Sequence, residues 1–276
     1  MTVDRLIEIT HPDDPRIAEF RNIRERDLTG RENRFIAEGT VVLRLLAEAH
    51  AAGGDFVAEK VLLLRNRAAG LEEIIAAFPP DVPVYVAEAS VLDGIVGFHL
   101  HRGVLAFGRR RAETDIDAFL DRLPERALIL AGCGISNHDN IGSMFRNAAA
   151  FGADAVLLDE TCCDPLYRKA LRVSVGSVLT VPYCRQLSDV DLLTALAGRG
   201  FSVWSLSPRG EVDIRAVPPA DRMALVVGTE GEGLPEKILS TFGSLRIPQA
   251  PGLDSLNVAT ASGIALFALA SLVKRL

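Results

Sequence analysis

The chain has 276 residues, is 49% hydrophobic but only 6% aromatic, and carries a net charge of −6. That length suggests one large or two ordinary domains around a core of Leu, Val, Ile and Ala, and the negative charge argues against broad nonspecific affinity for nucleic acid while leaving room for a local basic face. No apolar run approaches the roughly 18 residues of a membrane span, and the start MTVDRLIEITHPDDP has no signal-peptide core, so a cytoplasmic protein without a membrane partner is expected.

Arg16, Arg21, Arg24, Arg26, Arg31 and Arg34 crowd the first stretch, interleaved with Glu19, Glu25, Asp27 and Glu32. A solvated charged helix face and an RNA-contacting one both fit this pattern. From Phe35 to His50, apolar residues at helical spacing, among them Val42, Leu45 and Leu46, predict a helix. Val61–Leu64 reads as a strand, Leu71–Phe78 as a helix stopped by Pro79 and Pro80, and Val84–Val86 as a strand. Ser90–Val96 reads as a short helix and Gly103–Phe107 as a strand. His99, His101 and Arg102, with Arg109, Arg110 and Arg111, form a second basic group, again open to RNA contact or to a charged linker. The polar stretch RRRAETDIDAFLDRLPER then marks a boundary. It divides the chain into an α/β domain over 1–110, a linker over 111–124 and a second domain over 125–276.

In the second half the alternation sharpens. Ala127–Ala131, Ala155–Leu158, Val178–Val181, Ser202–Leu206, Ala224–Val227 and Leu245–Ile247 are predicted strands. Asn140–Phe151, Tyr167–Val173, Leu187–Gly198 and the long apolar Ser255–Leu276 are predicted helices. Continuously apolar strands between helices predict a parallel sheet buried on both faces. Cys133, Cys162, Cys163 and Cys184 lack metal-ligand spacing and read as buried thiols, so no metal site is expected.

Three segments follow strand ends in this half, where open α/β sheets place ligands. In the first, Asp139 or Asn140 can cap a helix, Gly142 permits close approach, and Arg146 lies off the apolar stripe. The second runs from Val227 into Gly228, Glu230, Gly231 and Gly233, a spacing that fits neither a dinucleotide fingerprint nor a phosphate loop. The third is IPQAPGLDSLNVATASGI, Ile247–Ile264, broken by Pro248, Pro251 and Gly252, with Ser255 as the helix cap and Asn257 in the first turn. Taken singly, each segment also suits a cap or turn with no ligand.

Together, Asn140-Ile-Gly142…Arg146-Asn147-Ala148, Gly228-Thr-Glu230-Gly-Glu-Gly233-Leu and Ile247-Pro248…Gly252…Ser255-Leu256-Asn257-Val258 are similar to the three motifs of the SpoU (TrmH-like) RNA 2′-O-ribose methyltransferases. The resemblance covers roughly Leu128 to the C-terminus. Phe35-Ile-Ala-Glu38-Gly39 resembles the small L30e-like domain that precedes the catalytic domain in many members. Ala259 and Gln249 depart from the family, which often has Ser and Met there.

The resemblance implies a C-terminal SPOUT domain with a trefoil knot, a homodimer formed through it, and S-adenosyl-L-methionine as cofactor. Leu206, Gly228, Glu230, Gly233, Ile247 and Leu256 are the expected cofactor contacts, and Arg146, Asn140, Glu230, Ser255 and Asn257 the expected catalytic set. The expected substrate is a ribose 2′-hydroxyl of structured RNA, either rRNA or tRNA. Two other readings stand beside it: a SPOUT-type RNA base methyltransferase, and a catalytically silent RNA-binding homologue.

Overall fold

The computed structural model describes residues 5–21, 28–30, 33–96, 103–111, 115–229, 231–252 and 254–276. The chain divides into two compact units, one of Met1–Ala112 with Leu166–Thr180, the other of Glu113–Pro165 with Val181–Leu276.

The first unit contains β1 (Leu6–Ile9), β2 (Arg34–Glu38), α1 (Thr40–Ala51), β3 (Phe56–Leu64), α2 (Arg65–Ala68), α3 (Glu72–Ala77), β4 (Val84–Ala87), α4 (Ala89–Val96) and β5 (Val104–Arg110). Its sheet has the order β1-β4-β3-β5-β2, parallel at β1, β4 and β3, antiparallel at β5 and β2. Ile9, Ile17, Phe20, Ile36, Leu62 and Phe107 fill one side, with Phe20 edge-on to Phe107 at 4.7 Å. The helix expected from Phe35 begins only at Thr40. Phe35–Glu38 pairs instead with β5, and Gly39, at φ 95°, turns the chain into the helix.

The three described arginines of the early stretch are all paired: Arg16 to Asp14, Arg21 to Asp13, Arg34 to Glu19 and Glu59. Arg24, Arg26, Arg31, His99, His101 and Arg102 lie outside the described residues. Arg109 and Arg110 belong to β5 rather than to a linker; Arg109 pairs with Glu59 at 3.0 Å and Arg110 is buried. The returning segment, Leu166–Thr180, contributes a helix of its own, α7 (Arg168–Val173). Arg168 and Arg172 face the buried carboxylate of Glu38 at 3.7 and 4.0 Å. Gly176 takes φ 84°, which strains any other residue, and a Cβ there would also press on the tip of Leu45, 2.6 Å from its Cδ1. The strand expected at Val178–Val181 is therefore a 3-10 turn, Ser177–Leu179, led by that left-handed glycine.

The second unit holds α5 (Ile116–Leu120), β6 (Ala127–Gly132), α6 (His138–Ala150), β7 (Ala155–Leu158), β8 (Tyr183–Arg185), α8 (Asp189–Gly198), β9 (Ser202–Leu206), β10 (Val212–Asp213), β11 (Arg222–Val227), α9 (Glu236–Thr241), β12 (Ser244–Arg246) and α10 (Val258–Leu272). Its strands run β10-β12-β9-β11-β6-β7-β8 with every described pairing parallel. Leu128–Ala131 and Ala224–Val226 are wholly buried, as strands covered on both faces must be. Ile116 and Leu120, from the polar stretch, are buried in this core with Ile129, Leu157, Leu192 and Ile238. Asp115 caps their helix through the amides of Asp117 and Ala118.

Candidate active site

The parallel register brings the three segments to one edge. Gly132 lies beside Val227, Val226 beside Ser205, and Leu206 beside Leu245. The C-terminal ends of β6, β11, β9 and β12 are thus side by side, and the segments leaving β6, β11 and β12 all emerge there.

The segment after β6 is held from the neighbouring strand end. Asp159, buried just past β7, accepts from the Gly134 amide at 2.9 Å, the Cys162 amide at 2.8 Å, and the Thr161 amide and hydroxyl. Cys162 Sγ accepts from the Ile135 amide and donates to the Gly132 carbonyl at 3.3 Å. Burial, reinforced by Asp159, pushes the Cys133 and Cys162 thiols far up, and burial raises Cys163 to about 11. The helix cap is Asn137, accepting from the Asp139 amide, rather than Asp139 or Asn140. Asn140 is free of that duty, and is buried, 4% exposed.

The segment after β11 folds back on itself. Thr229 and Gly233 form an antiparallel bridge, and Gly231 and Gly233 take φ of 109° and 73°. A Cβ on Gly228 would lie 2.7 Å from both Gly233 C and Leu234 N. Only glycine permits this approach of strand end to returning loop, so backbone groups form the surface here. Glu230 lies outside the described residues.

The segment after β12 passes to α10, and here the expected cap is corrected. Asn257, not Ser255, caps the helix, accepting from the amides of Ala259 at 2.9 Å and Thr260 at 3.4 Å. The same side chain's Nδ2 donates to Asn140 Oδ1 at 3.1 Å. One asparagine thereby fixes a helix start and joins the first segment to the third. Farther along, Asn147 Nδ2 donates to the Ala259 carbonyl at 2.7 Å and to Ser262 Oγ at 3.1 Å, and Phe151 meets Phe267 at 5.8 Å. The contacts advance together along both helices. Accordingly α6 and α10 run in the same sense, with both N-termini, and their partial positive charge, at the strand-end edge.

The structure thus brings Asn140 and Asn257 together. Arg146 is on the same helix, exposed, with no protein partner among the described residues. Ser255 is exposed just ahead of Asn257, and Leu256 is half-buried. Leu206, Gly228 and Ile247 sit at or just past the ends of three adjacent strands, each half-buried. Gln249 has its Oε1 enclosed without a partner among the described residues. The residues that sequence reasoning missed are Asn137, Asp159 and the bonding of Asn147. The start signal of an Asn just before the first apolar-periodic residue, Ile141, points to Asn140. The helix begins a turn earlier over polar His138 and Asp139, which hides Asn137, whereas the acceptors of Asn147 come from a helix more than 100 positions away.

The sequence profile of the SpoU rRNA Methylase family matches residues 127–267. An uncharacterized tRNA/rRNA methyltransferase of Mycobacterium bovis is 37% identical, over 94% of this chain and 90% of that one. The 23S rRNA (guanosine-2′-O-)-methyltransferase RlmB of Ralstonia nicotianae is 32% identical, over 70% of this chain and 78% of that one. The fold matches that of the AdoMet-bound rRNA methyltransferase of Sinorhizobium meliloti with a TM-score of 0.78 at 23% identity, covering 96% of this chain and 97% of that one.

Proposed function

Because the chain belongs to the SpoU rRNA Methylase family and is an RNA methyltransferase, we propose that it methylates a ribose 2′-hydroxyl of structured RNA from S-adenosyl-L-methionine. Ribosomal RNA is the first substrate of this reading and tRNA the second; the enzyme acts as a cytoplasmic homodimer. The observation that carries the proposal is the Asn140–Asn257 hydrogen bond, which joins two segments at the ligand-bearing edge of the sheet. The name of the Ralstonia relative supports both the ribose hydroxyl and rRNA.

The residues present suit the cofactor. The Gly228 strand end, pressed against Gly233, offers backbone N–H and C=O groups rather than side chains. Leu206, Gly233, Ile247 and Leu256 complete a set that would hold S-adenosyl-L-methionine mainly through the backbone. When bound, it supplies a methyl already activated by its sulfonium. The chain's own residues then need only align the 2′-oxygen, assist loss of its proton and exclude water.

A guanidinium, with a pKa above ~12, makes a poor base. Arg146 is therefore assigned to gripping an RNA phosphate through two parallel N–H donors and to stabilising the 2′-oxygen as it takes the methyl and its proton passes to a solvent water. Asn140, Ser255 and Asn257 orient the ribose and Arg146, and Glu230 holds the neighbouring loop. Arg146 acts in the partner subunit's site in this reading, which its exposure without a protein partner supports. Ile264 and Phe267, 42% and 55% exposed on α10, support the dimer. The passage of the chain from β12 to Asn140, across the ends of β9 and β11, supports the knot. Residues 1–110 are assigned to RNA binding as an L30e-like domain.

The test is digestion of methylated RNA to nucleosides. A 2′-O-methyl nucleoside is expected; a methylated base with an unmodified ribose would sink the proposal.

A further inference from the structure

Asn147 lies about two helical turns beyond Asn140, and so on the same face of α6. Its amide is the donor in a three-group cluster with the Ala259 carbonyl and Ser262 Oγ, and Ser262 Oγ itself donates to that carbonyl at 3.0 Å. Ser262 is fully buried. The helices approach closely here because position 263 is glycine: a Cβ would stand 3.1 Å from Asn147 Nδ2. Ala259 is one of the two positions where the chain leaves the family pattern, yet its carbonyl, not its side chain, receives Asn147.

The hydrogen bond between Asn140 and Asn257 fixes the start of α6 against α10, and the Phe151–Phe267 contact, which has no directional bond, marks its far end. Asn147 adds a directional anchor between them, about 10 Å along the helix from Asn140, and so restrains the roll of α6. Arg146 is the residue next to this anchor and projects from the exposed side of α6. Any roll of α6 about its axis is amplified at the tip of so long a side chain.

We propose that Asn147 is a positioning residue for methyl transfer. Stapled to Ala259 and Ser262, it fixes the roll of α6 and so the direction in which that helix presents Arg146. The inference rests on the roles proposed above for Arg146 and Asn257. Asn147 touches no reacting atom in it.

Two variants of the full-length chain test the role from opposite helices. Asn147→Asp keeps the shape and loses both N–H donors. Gly263→Ala leaves Asn147 in place and pushes its amide aside. Methyl transfer from labelled S-adenosyl-L-methionine is measured on ribosomal RNA from cells lacking the gene, with cofactor Kd and Tm measured in parallel. For Asn147→Asp kcat is expected to fall on the order of tenfold to a hundredfold, the scale of a roughly 1 Å misplacement, and for Gly263→Ala, where the amide shifts by only a few tenths of an ångström, by a smaller factor in the same direction. Tm falls in Asn147→Asp, which loses both bonds, while the KM for RNA and the cofactor Kd hold in both. Unchanged kcat in either folded variant, with normal wild-type product, overturns the positioning role alone. A kcat loss that tracks lost cofactor affinity in both variants marks a merely structural contact and overturns it too. A wild-type chain that yields no 2′-O-methyl nucleoside overturns the proposed function, and this role with it.

Discussion

Arg34 in the first unit and Arg146 in the second show how differently one side chain is used. Arg34 comes from the most arginine-rich stretch of the chain, pairs with Glu19 and Glu59, and lies over the ring of Phe107 at 5.1 Å. Lys60 shares Glu19, and Arg109 shares Glu59. That network has its counterions built in. Arg146 stands among neutral neighbours on α6, exposed, with no carboxylate partner among the described residues. A cation satisfied within the protein must give up that partner before it meets a phosphate; an unsatisfied one need not. On the function proposed above, the absence of a partner is a better guide to RNA contact than the crowding of like residues.

The comparison breaks most readily at Arg146. Arg146→Ala should lower kcat on the order of 10²–10³-fold, as loss of a transition-state donor does, with Tm unchanged, measured by transfer of labelled methyl to RNA. Full activity in Arg146→Lys would remove the two-donor grip from the account. Asn257→Ala should cost about 1 kcal/mol through loss of the α10 cap, read by denaturant unfolding, and should also reduce turnover because Asn140 loses its donor. Arg34→Ala should cost no more than about 1 kcal/mol, as expected for ion pairs near the surface, and leave kcat near wild type. A large kcat loss there would place the early arginines in the site and erase the contrast. The smallest effect concerns Cys163. Its thiol, raised to about 11 by burial, keeps its proton in the folded state at pH values where the unfolded chain loses it. Stability from this group is therefore intact at neutral pH and declines as pH rises from the ordinary thiol range toward 11. Native-state alkylation at pH 8 should be slow and should accelerate on unfolding.

Elements with a strong local signal were legible. Ala155–Leu158 and Ser202–Leu206 form strands with the bounds that their apolar runs and flanking residues predict. Phe35–Glu38 was not, because the helical period of Thr40–Ala51 extends back over four residues that owe their strand to a partner, β5, some seventy positions away. β8 is a three-residue strand whose only described neighbour is β7, too short to carry a period of its own. At the site, the residue types and their order pointed to Asn140 and Asn257, which the structure brings together, and to Arg146, whose role is proposed above. Ser255 was read as the cap because Ser before an apolar run is the commoner signal, and Asn257 took the role two positions later. The bonds that make the site a unit, from Asn257 to Asn140 and from Asn147 to Ala259, span more than 100 positions and leave no periodicity behind.

The excursion of the chain through Leu166–Thr180 bears on synthesis. Glu38 is in place early, but the guanidiniums that face it, and the glycine turn that fits under Leu45, are translated more than a hundred residues later. A growing chain that folds from its N-terminus must therefore hold its first unit unfinished, a buried carboxylate still waiting for its cations, until residue 180 has left the ribosome. A fragment cut at Ala112 would be frozen in that incomplete condition, so a stand-alone version of the first unit needs the α7 segment grafted back onto it.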